Sequence, residues 1–81
     1  MRIDLVLKYL CLAKSRSSAK ALCDRGAVLV NGAAARASST IDPGDRIELR
    51  VPERTVHIEI IEVPARQASK AEAPKYYRLV G

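Results

Sequence analysis

Ser15-Arg16-Ser17-Ser18-Ala19-Lys20-Ala21-Leu22-Cys23-Asp24-Arg25-Gly26-Ala27-Val28-Leu29-Val30-Asn31-Gly32 joins a capped basic helix to a hairpin through a glycine stop. It begins as a helix. Ser15 is an N-cap, because its hydroxyl accepts a bond from a free backbone N–H. Ala19, Leu22 and Cys23 form a buried side, while Arg16, Lys20 and Asp24 recur every four residues on another. Gly26 suits the left-handed position just past a helix end. Strand signals start directly afterwards: Val28 and Val30 alternate with Leu29, and Asn31-Gly32 is the strongest two-residue hairpin signal. A return strand through 33–36 completes the unit.

Upstream, residues 3–13 read as a first helix. Ile3, Val6, Leu7 and Leu10 lie at i, i+3, i+4 and i+7, one face of a 3.6-residue repeat. Leu5, Tyr9 and Leu12 widen that face, and core packing is expected for Tyr9. Asp4 falls in the first turn, where a carboxylate meets the positive end of the helix. Downstream, Pro43-Gly44-Asp45 is a turn, with Pro setting φ and Gly free to take positive φ. Ile47, Leu49 and Val51 alternate with Arg46, Glu48 and Arg50 as a half-buried strand does. A further strand is read over 55–63, with Ile61 breaking its alternation. Residues 64–75 are polar and Ala-rich, a loop or short helical turn, and 76–80 form a closing strand.

Eighty-one residues make one small domain, with a thin core and no room for a large enclosed catalytic pocket. No apolar run approaches the ~20 residues of a membrane helix, and no signal peptide is expected. Cys11 and Cys23 do not form a disulfide framework, so a cytoplasmic protein with reduced thiols fits. The net charge of +5 is unevenly placed. Residues 1–40 hold seven bases (Arg2, Lys8, Lys14, Arg16, Lys20, Arg25, Arg36) against two acids, whereas residues 41–81 hold seven of each. A concentrated positive field attracts polyanions.

The chemistry of that half can be read from residue types. A helix start has unpaired N–H groups and a positive dipole end, which suits a phosphate. Lys14 and Arg16 add full charges there, and Lys20 extends them by a turn. The hairpin presents Asn31 beside the helix, with Arg36 at the far side of this platform. No catalytic residue and no metal site is expected. Asp4 and Asp24 are explained by helix-end electrostatics and pairing with Arg2 or Lys20. Cys11, Cys23 and His57 lack ligand spacing; Cys23 is expected in the core, Cys11 partly buried and His57 on a polar strand face. No cofactor motif is present.

The combined pattern Arg-Ser-x-Ala-x-x-Leu-x-x-x-Gly-x-Val-x-Val-Asn-Gly, followed by Pro-Gly-Asp and an alternating strand, resembles the S-four RNA-binding domain. The opening Met-Arg-Ile-Asp-Leu-x-Leu is similar to that domain's usual start. The match is clear over residues 1–51, and the C-terminal strands 55–63 and 76–80 follow it in outline. The resemblance implies an α+β fold of the alpha-L type, with two N-terminal helices packed on a small, mostly antiparallel sheet. A single domain over 1–81 is similar to the stand-alone bacterial forms: quality-control factors of the RqcP type and the heat-shock protein fifteen group.

That kinship implies a non-enzymatic, cytoplasmic protein, a monomer away from membranes. Its partners would be ribosomal RNA and tRNA on the large ribosomal subunit, together with a factor that tails stalled nascent chains. Arg2, Lys8, Lys14, Arg16, Ser17, Lys20, Asn31 and Arg36 are the expected RNA-binding residues. The chain departs from the family pattern at Leu5, Cys11 and Ser15, where relatives often carry bases. Two other roles fit the same residues: a ribosome-assembly or general structured-RNA-binding factor, and a protein-interaction module or accessory subunit of an RNA-modifying enzyme.

Overall fold

The computed structural model describes residues 1–80. Two helices, α1 (Ile3–Tyr9) and α2 (Arg16–Asp24), precede five strands: β1 (Val28–Val30), β2 (Ala33–Ala34), β3 (Arg46–Val51), β4 (Arg54–Ile60) and β5 (Tyr77–Leu79). The strands form one antiparallel sheet in the order β2-β1-β3-β4-β5. This is the expected α+β arrangement.

Both turns form as their residues dictate. Asn31 (φ 51°) and Gly32 (φ 86°) both take positive φ, which matches the twist of the β1–β2 hairpin. Gly44 (φ 92°) follows Pro43 in a turn closed by the Asp45 N–H on the Asp42 carbonyl at 3.1 Å. Ile47 faces Ile58, and Leu49 faces Val56, across β3 and β4. The inner sheet face meets the helices there. Ile3, Val6, Leu7 and Leu10 from α1 and its end, Ala19 and Cys23 from α2, and Val28, Ile47, Leu49, Ile58 and Ile60 from the sheet make one cluster. A fully buried side chain of this kind contributes about 1.5–3 kcal/mol.

Four boundaries differ from the sequence reading. The return strand β2 stops at Ala34 instead of running to 36, because its pairing with β1 covers only Ala33 and Ala34. α1 stops at Tyr9 instead of running to 13, because Cys11 turns left-handed (φ 60°). The Cys11 N–H then bonds Lys8 and that of Leu12 bonds Leu7, at 3.1 and 2.9 Å. This is the Schellman pattern, and α2 closes in the same way through Gly26 (φ 74°). β4 ends at Ile60, where the Ile61 N–H leaves the ladder for the Tyr76 carbonyl at 2.8 Å. A short 3-10 helix, Ala73–Tyr76, with Pro74 in its first turn, delays β5 to Tyr77.

Candidate nucleic-acid interface

Asp4 is the centre of the helix-end site. It is only 3 % exposed. Its Oδ1 accepts the Leu5 N–H at 2.8 Å and Arg2 Nε at 3.2 Å. Its Oδ2 accepts Arg2 Nη2 at 3.1 Å and Arg16 Nη2 at 3.4 Å. A buried carboxylate needs this company, because an unpaired charge away from water is costly. Asp4 therefore orients both guanidiniums, which remain about half exposed. Arginine carries five donors; Arg2 uses two on Asp4 and Arg16 one. The outward donors suit a phosphate, which a planar guanidinium binds through two parallel bonds.

Local structure explains how these residues meet. Arg2 is the extended residue that opens α1, and Arg16 is the first residue of α2. The 10–15 link returns the chain so that the two starts lie together. Ser15 caps α2 as read from the sequence, its hydroxyl accepting the Ser18 N–H at 3.0 Å. The N–H groups of Arg16 and Ser17, in the first helical turn, have no acceptor within the helix. Ser17 is exposed beside them. The start of α1 is closed differently: the Ile3 and Asp4 N–H groups bond the Ser39 and Ala37 carbonyls at 2.8 and 3.2 Å. The loop that supplies those carbonyls carries exposed Arg36, with its backbone N–H held by Ser39 Oγ at 3.0 Å.

The remaining sequence candidates are placed separately. Lys20 pairs with Asp24 one turn along α2, at 2.8 Å. The hydrogen bond that Lys20 donates to that carboxylate, and then the carboxylate's charge, raise the Lys20 pKa. Asn31 braces the hairpin: Oδ1 accepts the Arg46 N–H at 3.0 Å, and Nδ2 donates to Asp45 at 3.1 Å. Its side chain is thus engaged within the fold. Lys8 donates from Nζ to Gln67 Oε1 at 3.0 Å, toward the other end of α1, and Lys14 is exposed in the link. Tyr9 is half-buried and lies outside the core cluster, with Lys8 Nζ 5.9 Å from its ring centre.

Sequence reasoning missed two features. It paired Asp4 with Arg2 but did not join Arg16 to the same carboxylate, 12 positions away. It also left 64–75 without a role, although Gln67 and Lys70 flank the same groove as Lys8 and Lys14. Among the described residues no group of three or more His, Cys, Asp or Glu could hold a metal. Cys23 is buried, and burial pushes its thiol pKa up. Cys11 is exposed instead of partly buried, because its left-handed turn carries it off the apolar face. No described helix is long and apolar enough to cross a membrane.

Comparisons with known proteins agree with this fold. The family model described as the S4 domain matches residues 1–47. The chain is 35% identical over 80 residues to the RQC P-site tRNA stabilizing factor of Bacillus subtilis, covering 99% of this chain and 92% of that one. It is likewise 35% identical over 79 residues to the protein of that name in Halalkalibacterium halodurans, covering 98% and 89%. A solved structure of Vibrio cholerae Heat Shock Protein 15, described as trimeric, superposes with a TM-score of 0.93 at 29% identity, covering 99% of this chain and 81% of that one. The capped helix, glycine stop and hairpin and these matches converge: the chain belongs to the S4 domain family.

Proposed function

We propose that this protein binds RNA as a ribosome-associated quality-control factor, docking on the large ribosomal subunit and stabilising a P-site tRNA while a stalled nascent chain is handled. The observation that carries the reading is the pair of half-exposed guanidiniums, Arg2 and Arg16, oriented by one buried carboxylate next to the open start of α2. Its support is near-full-length similarity to factors named for that role. The protein works by binding, as a monomer in the cytoplasm, and a nascent-chain tailing factor is its protein partner. Ser17 and Arg36 complete the helix-end contact, and Lys20 adds charge along α2.

The test is sedimentation of tagged protein with large subunits that carry tRNA, set against empty subunits and assembly precursors. Preference for the tRNA-bearing particle is the expected result, and equal recovery on precursors would replace this role with an assembly role. Arg16→Ala should weaken subunit binding by roughly 1.5–3 kcal/mol, the range for hydrogen bonds to a charged group. Arg2 still neutralises Asp4 in that variant, so its melting temperature should stay close to that of the wild type. With three to five phosphate contacts, log K should fall against log salt with a slope of roughly −2 to −4.5.

A further inference from the structure

Beyond the helix-end site, we infer that the open groove between the far end of α1 and residues 67–70 is a second RNA site that holds a backbone phosphate between Lys8, Lys14 and Lys70. The groove measures about 540 Å³ and is lined by these three lysines with Cys11, Leu12, Ala13 and Gln67. No acid lines it. Lys14 and Lys70 have no ion-pair partner among the described residues, and Lys8 meets only neutral groups, the Gln67 amide and the Tyr9 ring. Three ammonium charges thus share an open hollow without internal neutralisation, and that field attracts an anion.

The groove is also built rather than incidental. Gln67 Nε2 donates to the Ala68 carbonyl at 3.0 Å and to the Tyr9 carbonyl at 3.3 Å. The Ala68 N–H bonds that same Tyr9 carbonyl at 3.0 Å, and Cys11 Sγ donates to the Ala68 carbonyl at 3.4 Å. Ala68 itself is buried. The 67–68 segment is therefore latched onto the end of α1, which fixes one wall and orients Lys8. A helix C-terminus ordinarily repels anions through its free carbonyls. Here the Leu7, Lys8 and Tyr9 carbonyls are already bonded, to the N–H groups of Leu12 and Ala13, of Cys11 and of Ala68 respectively. Lysine offers a compact charge without a fixed fork, so the groove grips backbone phosphate without reading a base.

The inference rests on the RNA-binding reading above, and the experiment separates the two. Lys14→Gln/Lys70→Gln and the charge-matched control Arg54→Gln/Arg78→Gln are titrated against large subunits across a range of salt concentrations, each with a thermal melt. Loss of two phosphate contacts should reduce the salt slope by about 1.4–1.8 and lower affinity by roughly tenfold or more at 0.1 M salt. The control should keep the wild-type slope to within about half of that change. Lys14→Arg/Lys70→Arg should restore the slope. Wild-type slope and affinity in the groove variant, or an equal loss in the control, would overturn the groove while leaving the helix-end site intact. Failure of the wild-type protein to bind would remove the RNA reading itself. Should Lys14→Gln/Lys70→Gln unfold, Lys14→Ala/Lys70→Ala takes its place, and a folded Ala variant with wild-type slope and affinity would overturn the groove.

Discussion

Two surfaces of this molecule use the same ion pairs to opposite effect. At the helix ends Asp4 gathers Arg2 and Arg16. On the outer sheet face Glu59 gathers Arg46 and Arg78, and Glu48 meets Arg50 and His57. The acids differ in depth. The Asp4 side chain is 5% exposed, whereas Glu48 and Glu59 are each over 20% exposed. A deep carboxylate is screened little by water, so it holds its arginines in place. The sheet acids meet their bases in solvent, where such pairs contribute little. The surroundings differ too. Residues 1–25 carry six bases and two acids, while β3 to β5 with their connecting turn carry four Arg and three Glu. One arrangement leaves an ordered positive surface, and the other a nearly neutral one.

Both surfaces stand on one core, and the largest expected effect is there. Leu7 is fully buried between the helices and the sheet. Leu7→Ala should cost about 2–5 kcal/mol, a large share of the roughly 4–12 kcal/mol a domain of this size possesses. Urea unfolding measures it. A cost below about 1 kcal/mol would mean that the two surfaces do not share a support.

Asp4→Asn separates geometry from charge. It makes the helix-end surface more positive and yet removes the carboxylate that orders Arg2 and Arg16. If order dominates, subunit affinity falls by roughly 1.5–3 kcal/mol, the range of hydrogen bonds to charged groups. Tighter binding would show that net charge alone governs the contact and that the comparison with the sheet is one of quantity only.

A third change sharpens the helix side. Cys11 occupies a left-handed position that costs a non-glycine residue roughly 1–2 kcal/mol, and α2 closes the same motif with Gly26. Cys11→Gly should raise stability by about 0.5–1 kcal/mol after the entropy of glycine is counted. A thermal melt reads the gain, and a lower melting temperature would mean that the Cys11 contact with Ala68 outweighs the backbone strain.

The smallest effect is expected on the sheet. Arg78→Gln leaves Glu59 paired with Arg46. Stability and subunit affinity should each stay within about 0.5 kcal/mol of wild type. A loss matching that of Arg16→Ala would place RNA on the sheet face.

Short-range residue chemistry dictates the elements whose signals are local. The Ser15 cap, the Gly26 stop, the Asn31-Gly32 and Pro43-Gly44 turns and the alternation through β3 depend on a few adjacent residues, and each formed as its chemistry requires. The charge asymmetry and the Asp4–Arg2 pair were legible for the same reason. Only tertiary structure decided the rest. No glycine announces the end of α1, because Cys11 takes the left-handed turn while Leu12 and Ala13 bond back to Leu7. Arg16 reaches Asp4 only because the helices fold back on each other. Gln67 reaches Lys8 across 59 positions, and Lys70 lines the same groove, because Ala68 docks on the end of α1. Neither contact leaves a periodic trace in the chain, since each depends on how finished elements pack and not on the spacing of residues within them.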